Sequence, residues 1–175
     1  MKKTFRSTTS AVKITLACMT MAVLLAACSP NARYQGKGET TLQGEWKQDS
    51  VRLQQKLITY SLYNFKFNCD SFFVSINTVS KVNYGADTCM NKGHWTEYAR
   101  GLYVMSHDTL RIRGFFTYPN QKIKYQADCF RVGVIDERFK VKQLSDSLYQ
   151  FRNLTSTEPF TMHLTKKITC VPKPL

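Results

Sequence analysis

The feature that most constrains the fold is an alternation of apolar and polar residues, which starts at Leu42 and recurs along the rest of the chain. This period of two is clearest in four segments, residues 110–117, 122–126, 139–142 and 160–165. Successive side chains of a β-strand point to opposite faces, so these segments place one face on a core and the other in water. An amphipathic helix is expected nowhere beyond two turns at residues 50–56. We therefore predict an all-β domain.

Turn residues divide the alternating runs into a meander. Each of three polar turns leads into an apolar run: Asp70-Ser71, Asp108-Thr109 and Asp146-Ser147. Such side chains bond nearby backbone amides and favour hairpins. The predicted strands cover residues 42–46, 57–67, 72–77, 94–104, 110–117, 122–129, 139–144, 148–153 and 160–165, with a β-bulge where the apolar phase shifts between Leu62 and Tyr63. Eight or nine short antiparallel strands must hide their edges, which predicts two packed sheets or a meander closing into a barrel.

The first 27 residues have the pattern of an export signal. Lys2, Lys3 and Arg6 precede an apolar run at residues 14–25 that is too short and too interrupted to span a membrane comfortably. The closing Leu25-Ala26-Ala27-Cys28 resembles the lipobox of bacterial lipoproteins. The resemblance implies that Cys28 becomes the acylated N-terminus, and each buried methylene contributes roughly 0.8 kcal/mol to anchoring. The alternative is an ordinary signal peptide with a chance cysteine.

The predicted organisation is a signal peptide at 1–27, a lipidated tether at 28–41, a β-barrel domain at 42–170 and a C-terminal tail at 171–175. Cys28 is followed neither by an aspartate nor by an acidic run. We therefore expect the protein at the periplasmic face of the outer membrane rather than at the cell surface.

Removal of the leader takes away four of the 25 basic residues and none of the 12 acidic ones, so basic residues still outnumber acidic ones in the mature chain. Most of the basic residues alternate with apolar or neutral ones, as on the wet face of a strand. We expect no nucleic-acid partner, and a basic body suits an anionic membrane or envelope polymer.

Four cysteines remain after Cys18 and Cys28, namely Cys69, Cys89, Cys129 and Cys170. An even number in an exported chain predicts two disulfides. If the strands run up and down in sequence, Cys69 and Cys129 fall at one end of the barrel and Cys89 and Cys170 at the other. A disulfide needs Cα atoms within ~6 Å, so we predict these two pairings. The chain has no Cys-x-x-Cys and no histidine at metal-ligand spacing from a cysteine, so we expect no metal site.

Gly44-Glu45-Trp46 resembles the Gly-x-Trp motif on the first strand of lipocalins. The resemblance implies a lipocalin-like barrel in which Gly44 permits close backbone approach and Trp46 plugs one end. The alternative is that Trp46 is a core residue of any β-domain. A barrel of eight strands has room for one small apolar ligand or only for its own side chains. The aromatic residues that could line a cavity are Phe65, Phe67, Tyr103, Phe115, Phe116, Tyr118 and Phe130.

A second resemblance covers five short segments, residues 48–51, 69–72, 80–84, 95–99 and 108–110. They are similar to small uncharacterised lipoproteins of Bacteroidetes-type bacteria, some of which carry the label fumarate hydratase. The residues do not support that activity. One class of fumarate hydratase uses three cysteines on an iron–sulfur cluster and the other a serine-bearing loop in a large helical tetramer.

Enzymatic residues are scarce. Ser106-His107-Asp108 has the residue types of a serine protease, but as sequence neighbours in an expected hairpin turn. His163 lies on a polar strand phase, and His94, near Asp87 and Glu97, is the histidine to watch. A pair of catalytic acids could come together in space from Asp70, Asp87, Glu97 and Asp128, although nothing in their sequence spacing indicates such a site.

No phosphate loop or nucleotide motif occurs, so we predict a non-enzymatic protein without a cofactor. The preferred function is an envelope lipoprotein that binds a small apolar ligand. The alternative is a structural or assembly factor that binds an envelope protein through a sheet edge. A hydrolase comes third.

Overall fold

The computed structural model describes residues 34–82, 87–127 and 129–174, and in these ranges the chain forms eight antiparallel strands. They are β1 (Gly44–Gln48), β2 (Thr59–Asn68), β3 (Ser71–Ser80), β4 (His94–Ser106), β5 (Thr109–Thr117), β6 (Val134–Ser145), β7 (Leu148–Asn153) and β8 (Phe160–Lys167). Helical structure in the described ranges is limited to single turns at Gln54–Lys56, Asp87–Met90 and Asn91–Gly93. The all-β prediction is confirmed.

Some sequence predictions fall outside these ranges. The signal peptide at 1–27, the lipidation site Cys28 and the acid Asp128 lie outside the described residues, as does the side chain of Asp87.

The eight strands close into one barrel. Each strand pairs with the next, and β1 also pairs with β8, where Trp46 lies opposite Leu164 and Gln48 opposite Met162. This confirms the predicted meander that closes into a barrel. Closure matters because a closed ring gives every strand two hydrogen-bonded neighbours.

The ninth predicted strand, at 122–129, is absent from the barrel. The described residues between β5 and β6, 118–127 and 129–133, instead lie in a long connection, called here the 118–133 loop, that touches β5 at an isolated bridge between Thr117 and Ile123. The expected phase is also reversed there, because Tyr125 is 83% exposed whereas Lys124 is buried. The Lys124 ammonium donates to the carbonyl oxygen of Cys129, a tertiary contact that the alternation cannot indicate.

The predicted bulge at Leu62 and Tyr63 is wrong. The β2–β3 register is unbroken from Thr59 opposite Ser80 to Asn68 opposite Ser71. Leu62 is half-buried on the outer face, so the apparent phase shift reflects an apolar residue on the outside rather than an inserted one.

The inward face of every strand contributes to one aromatic-rich core. Its centre is Phe65, whose ring centroid lies 5.4 Å from that of Phe67, 6.0 Å from that of Phe139 and 6.2 Å from that of Phe151. All four rings are fully buried, and burying one such side chain contributes about 1.5–3 kcal/mol.

The two ends of the barrel differ in their connections. At the hairpin end, two-residue turns join β2 to β3, β4 to β5, and β6 to β7. At the loop end, the connections are residues 49–58, 81–93, 118–133 and 154–159. The loop end therefore has far more backbone available to build a site.

Two disulfides form, as the number of cysteines predicted, but both predicted pairings are wrong. Cys69 bonds to Cys170 with their Cα atoms 4.8 Å apart, and Cys89 bonds to Cys129 with theirs 5.4 Å apart. The missing ninth strand explains the exchange. Without it, Cys129 stays at the loop end beside Cys89, and Cys170 follows β8 to the hairpin end beside Cys69.

Residues Gln35–Lys173 form one compact unit that holds all eight strands and both disulfides. A second unit comprises the chain termini, in which Tyr34 and Pro174 form an isolated antiparallel bridge. Within the described ranges, no helix has the length and apolarity needed to cross a membrane.

Candidate functional site

Gly44 and Trp46 lie on the inner side of β1 near the hairpin end. The Trp46 indole is buried, donates its N–H to the Leu42 carbonyl oxygen at 2.7 Å, and packs edge-on against Tyr149 at 5.0 Å. A Cβ on Gly44 would come within 2.5 Å of the Leu164 Cδ1 and 2.7 Å of the Lys166 carbonyl oxygen. Close approach at Gly44 is thus a property of this barrel, and the plug role of Trp46 stays a prediction.

A buried glutamine that the sequence analysis did not single out closes the hairpin end. The Gln43 amide nitrogen donates to the Cys69 carbonyl oxygen and to the Tyr103 hydroxyl oxygen, both at 2.8 Å. Its oxygen accepts the Cys69 N–H at 2.7 Å. Burial raises the pKa of Tyr103 to about 12, so this hydroxyl is neutral. The end is sealed by polar groups that satisfy one another.

Charged side chains lie inside the barrel at the loop end. Glu97 on β4 faces inward opposite Ile76, and Glu137 on β6 faces inward opposite Ile112. Arg131 reaches them from the 118–133 loop. Its Nε and backbone N–H each donate to one Glu97 carboxylate oxygen at 3.0 Å, and its terminal nitrogen donates to the other at 2.9 Å. The Glu97 side chain is only 10% exposed whereas that of Arg131 is 47% exposed, so the carboxylate is shielded from water and the guanidinium remains partly solvated.

The neighbouring groups respond to this charge cluster. Burial raises the pKa of Glu137, and the positive charge of Arg131 opposes that shift. The Asn153 amide donates to the Glu137 carboxylate at 3.2 Å. Burial, together with the Glu137 charge, raises the pKa of Tyr63 to about 12. Burial tends to lower the pKa of Arg131, yet the Glu97 hydrogen bonds and charge outweigh it and the pKa is raised.

A cavity of about 390 Å³ opens beside this cluster, between β4, β5 and the 118–133 loop. Its aromatic wall contains Trp95 and Phe130, stacked with centroids 4.7 Å apart, and Phe116, over which the Arg131 guanidinium lies at 4.8 Å. The disulfide between Cys89 and Cys129 ties the loop to the segment before β4. The cavity is therefore held by covalent and ionic contacts.

Two polar atoms of the cavity lack partners. The Trp95 indole nitrogen and the Thr117 hydroxyl oxygen are both buried, and neither has a hydrogen-bond partner among the described residues. A buried polar group left unsatisfied costs about 1–3 kcal/mol. An acceptor on a bound molecule would restore the bond to the indole N–H, and the hydroxyl can donate or accept.

The predicted cavity-lining aromatics divide into three sets. Phe65, Phe67 and Tyr103 are buried in the core. Phe116, Tyr118 and Phe130 line the loop-end cavity, and Phe115 is exposed on the outer wall. Trp95, Lys124 and Arg131 also line the cavity without having been expected there. The only sequence feature that could have indicated these three residues is the aromatic content of 95–130, because no local sequence pattern shows that a loop folds back over the barrel.

Of the predicted histidines and acids whose side chains are described, His94 and Glu97 share one site, since both line the loop-end cavity, and the others lie elsewhere. His107 lies in the β4–β5 turn as predicted, 3.3 Å from the Ser106 hydroxyl, while His163 is exposed and pairs with Asp49 at 2.6 Å. His94 does line the loop-end cavity.

The two predicted acids whose side chains are described are far apart along the barrel. Asp70 lies in a hairpin-end turn, whereas Glu97 lies near the loop end. No group of metal-ligating side chains occurs among residues 34–82, 87–127 and 129–174.

Comparison with known protein families, curated proteins and solved structures finds no match to this chain. The resemblances to lipoproteins and lipocalins therefore rest on the residues quoted for them.

Proposed function

We propose that this protein is a non-enzymatic, lipid-anchored binding protein of the cell envelope that holds a small, mainly apolar ligand in the loop-end cavity. The observation that carries the proposal is a cavity lined by Trp95, Phe116 and Phe130, beside which the buried Trp95 indole N–H has no acceptor among the described residues. At about 390 Å³, the cavity falls within the range of roughly 300–1,000 Å³ typical of small-molecule sites.

The cavity favours a planar apolar molecule with a hydrogen-bond acceptor at one edge. Trp95 and Phe130 stack on each other and Arg131 covers one face of Phe116, so a ligand would contact the remaining faces and edges of these rings, and such aromatic contacts add about 0.5–1.5 kcal/mol each. The acceptor would take the Trp95 N–H. We place the ligand here rather than behind Trp46, because Tyr149 packs edge-on against that tryptophan and both side chains are buried in the core.

The alternative of an assembly factor that binds through a sheet edge has less support. In the closed ring, each of the eight described strands pairs with two neighbours, so none offers the free edge that β-augmentation requires. The binding function is also favoured over hydrolysis, because Glu97 is already engaged by Arg131.

The first test is native mass spectrometry of the protein purified from its own envelope, recorded before and after denaturation. A small molecule released on unfolding supports the proposal and identifies the ligand. The same spectrum tests the anchor, because acylation at Cys28 adds several acyl chains to the mass of residues 28–175.

Trp95→Phe tests where the ligand lies. The variant keeps the ring against Phe130 but removes the N–H, so we expect about 2- to 10-fold weaker ligand binding by calorimetry. Trp46→Phe is the matched control, since it makes the same change at the opposite end. It should lower thermal stability through the lost bond to Leu42 and leave binding unchanged. Weaker binding in Trp46→Phe alone would overturn the site.

A further inference from the structure

The outer walls of the barrel differ in their exposed apolar side chains. Among the eight strands, large hydrophobic side chains that are highly exposed occur only on β4, β5 and β6. The four that face outward in neighbouring rows are Leu102 (59% exposed), Val104 (65%), Phe115 (46%) and Val134 (56%). Exposed apolar side chains collected on one wall indicate a contact surface.

Arginine side chains alternate with these apolar ones in both directions. Leu102 lies opposite Arg113, and Val104 opposite Arg111. Phe115 lies opposite Arg100 on one side and Val134 on the other. We call this surface the basic-apolar wall; it consists of Arg100, Leu102, Val104, Arg111, Arg113, Phe115, Val134, Asp136, Arg138 and Lys140.

The wall keeps an excess of positive charge. Asp136 binds Arg111 at 2.5 Å and lies 4.0 Å from Arg113, and Asp108 in the adjoining turn binds Lys140 at 2.5 Å. Arg100 and Arg138 are exposed and have no carboxylate partner among the described residues. Five basic side chains thus face two carboxylates.

We propose that the basic-apolar wall docks on an anionic lipid bilayer. Guanidinium groups bind phosphate with two parallel hydrogen bonds, and Arg100 and Arg138 are free to do so. Leu102, Val104 and Phe115 would enter the boundary between headgroups and acyl chains. A depression of about 260 Å³ between Phe73, Arg100 and Phe115 would receive lipid groups from that boundary.

The alternation itself favours a bilayer over a protein partner. The core of a protein interface is depleted in charged residues, whereas here Leu102, Val104 and Phe115 each lie opposite an arginine of the neighbouring strand. A bilayer surface offers negative charge and apolar chains within a few ångströms of each other. The wall of β1 and β2, across the ring from β5, shows the contrast, because none of the large exposed hydrophobic side chains lies on these two strands.

The test is arginine footprinting of the full chain attached to vesicles, with an arginine-selective dicarbonyl reagent and mass spectrometry. Vesicles of phosphatidylcholine alone are compared with vesicles of equal parts phosphatidylcholine and phosphatidylglycerol. We expect Arg100, Arg113 and Arg138 to react several-fold more slowly on the anionic vesicles. Arg52, in the β1–β2 loop, should react at the same rate on both.

A pair of charge-matched variants sharpens the result. R100Q/R138Q removes two charges from the wall and should weaken docking about fivefold per arginine, so the protection of Arg113 is lost. K47Q/K66Q removes two charges from the opposite wall and should leave that protection intact. All four side chains are exposed, so folding is expected in both variants.

Three results would overturn the proposal. One is equal reactivity of the wall arginines on both vesicles, and another is protection in K47Q/K66Q that falls as much as in R100Q/R138Q. The third is protection of the same arginines by a vesicle-free envelope extract, which would assign the wall to a protein or polymer instead.

Discussion

The hairpin end and the loop end of this barrel provide partners for their polar groups in different ways. At the hairpin end, turn carbonyls bond to the neighbouring strand, as Asp70 does to the Tyr103 N–H at 2.9 Å and Asp108 to the Val141 N–H at 2.7 Å. At the loop end, the inward-facing carboxylate of Glu97 is paired with Arg131 from a loop, and that of Glu137 accepts a hydrogen bond from Asn153. The closed end uses backbone and amide groups that satisfy one another. The open end uses charges whose partners come from distant segments, and here an aromatic-lined cavity lies beside the buried Trp95 indole N–H and Thr117 hydroxyl, which have no partner among the described residues.

The N-terminal segment strengthens the contrast. Residues 35–41 belong to the predicted tether, and they bond to the hairpin end. The Gly36 N–H donates to the Asp70 carboxylate at 2.9 Å, and the Gln35 side chain donates to the Ser71 hydroxyl at 2.8 Å. The hairpin end is thus covered as well as closed.

The largest expected effect comes from the disulfide at the hairpin end. Cys69→Ala with Cys170→Ala removes a cross-link spanning 101 residues, and chain entropy predicts a loss of about 4–5 kcal/mol in the free energy of unfolding. Urea unfolding measures it. Cys89→Ala with Cys129→Ala opens a loop of 40 residues at the other end, for which the same relation predicts a loss of about 4 kcal/mol, and it should in addition increase hydrogen exchange in the 118–133 loop. Equal global losses with no local difference would break the comparison.

Gln43→Ala should have the next largest effect. It leaves the Cys69 N–H and the Tyr103 hydroxyl without the amide partner in a buried site, at a cost of about 3 kcal/mol in the free energy of unfolding. Gln143→Ala is the matched control, because that side chain is exposed and its loss should change stability by less than about 0.5 kcal/mol. If the two variants unfold at the same urea concentration, the amide network does not hold this end.

The smallest expected effect is at Glu137, and it depends on pH. Burial raises the pKa of this carboxyl in the folded protein, so ionisation destabilises the fold as pH rises from below the unfolded value of 4.5 through the folded pKa. Glu137→Gln should therefore be slightly more stable than the wild type at neutral pH, by on the order of 0.5 kcal/mol because the group is partly solvated. The difference should vanish below the unfolded pKa.

Thermal unfolding of both proteins between acid and neutral pH measures that difference. Glu158→Gln serves as the control, since its carboxylate is exposed and 3.9 Å from Arg52. A Glu137→Gln variant that is less stable at neutral pH would show that the carboxylate is a favourable partner of Arg131 rather than a burden.

The strands and their hairpins were readable from the sequence because they depend on local features. The alternation along 110–117 is enough to place Leu110 and Ile112 on the core side of a strand. Asp70 and Asp108 favour turns because an aspartate side chain hydrogen-bonds to nearby backbone amides. The number of cysteines likewise predicted two disulfides.

Tertiary structure alone decided the rest. The alternation at 122–126 predicts a strand, but Lys124 binds the Cys129 carbonyl group, and the segment becomes the loop that covers the cavity. That change moved Cys129 to the other end and exchanged the disulfide partners. Arg131 and Glu97 are 34 residues apart, so no local pattern relates them. Periodicity reports which face of a strand is wet, whereas the pairing of loop residues depends on where the closed barrel brings distant segments together.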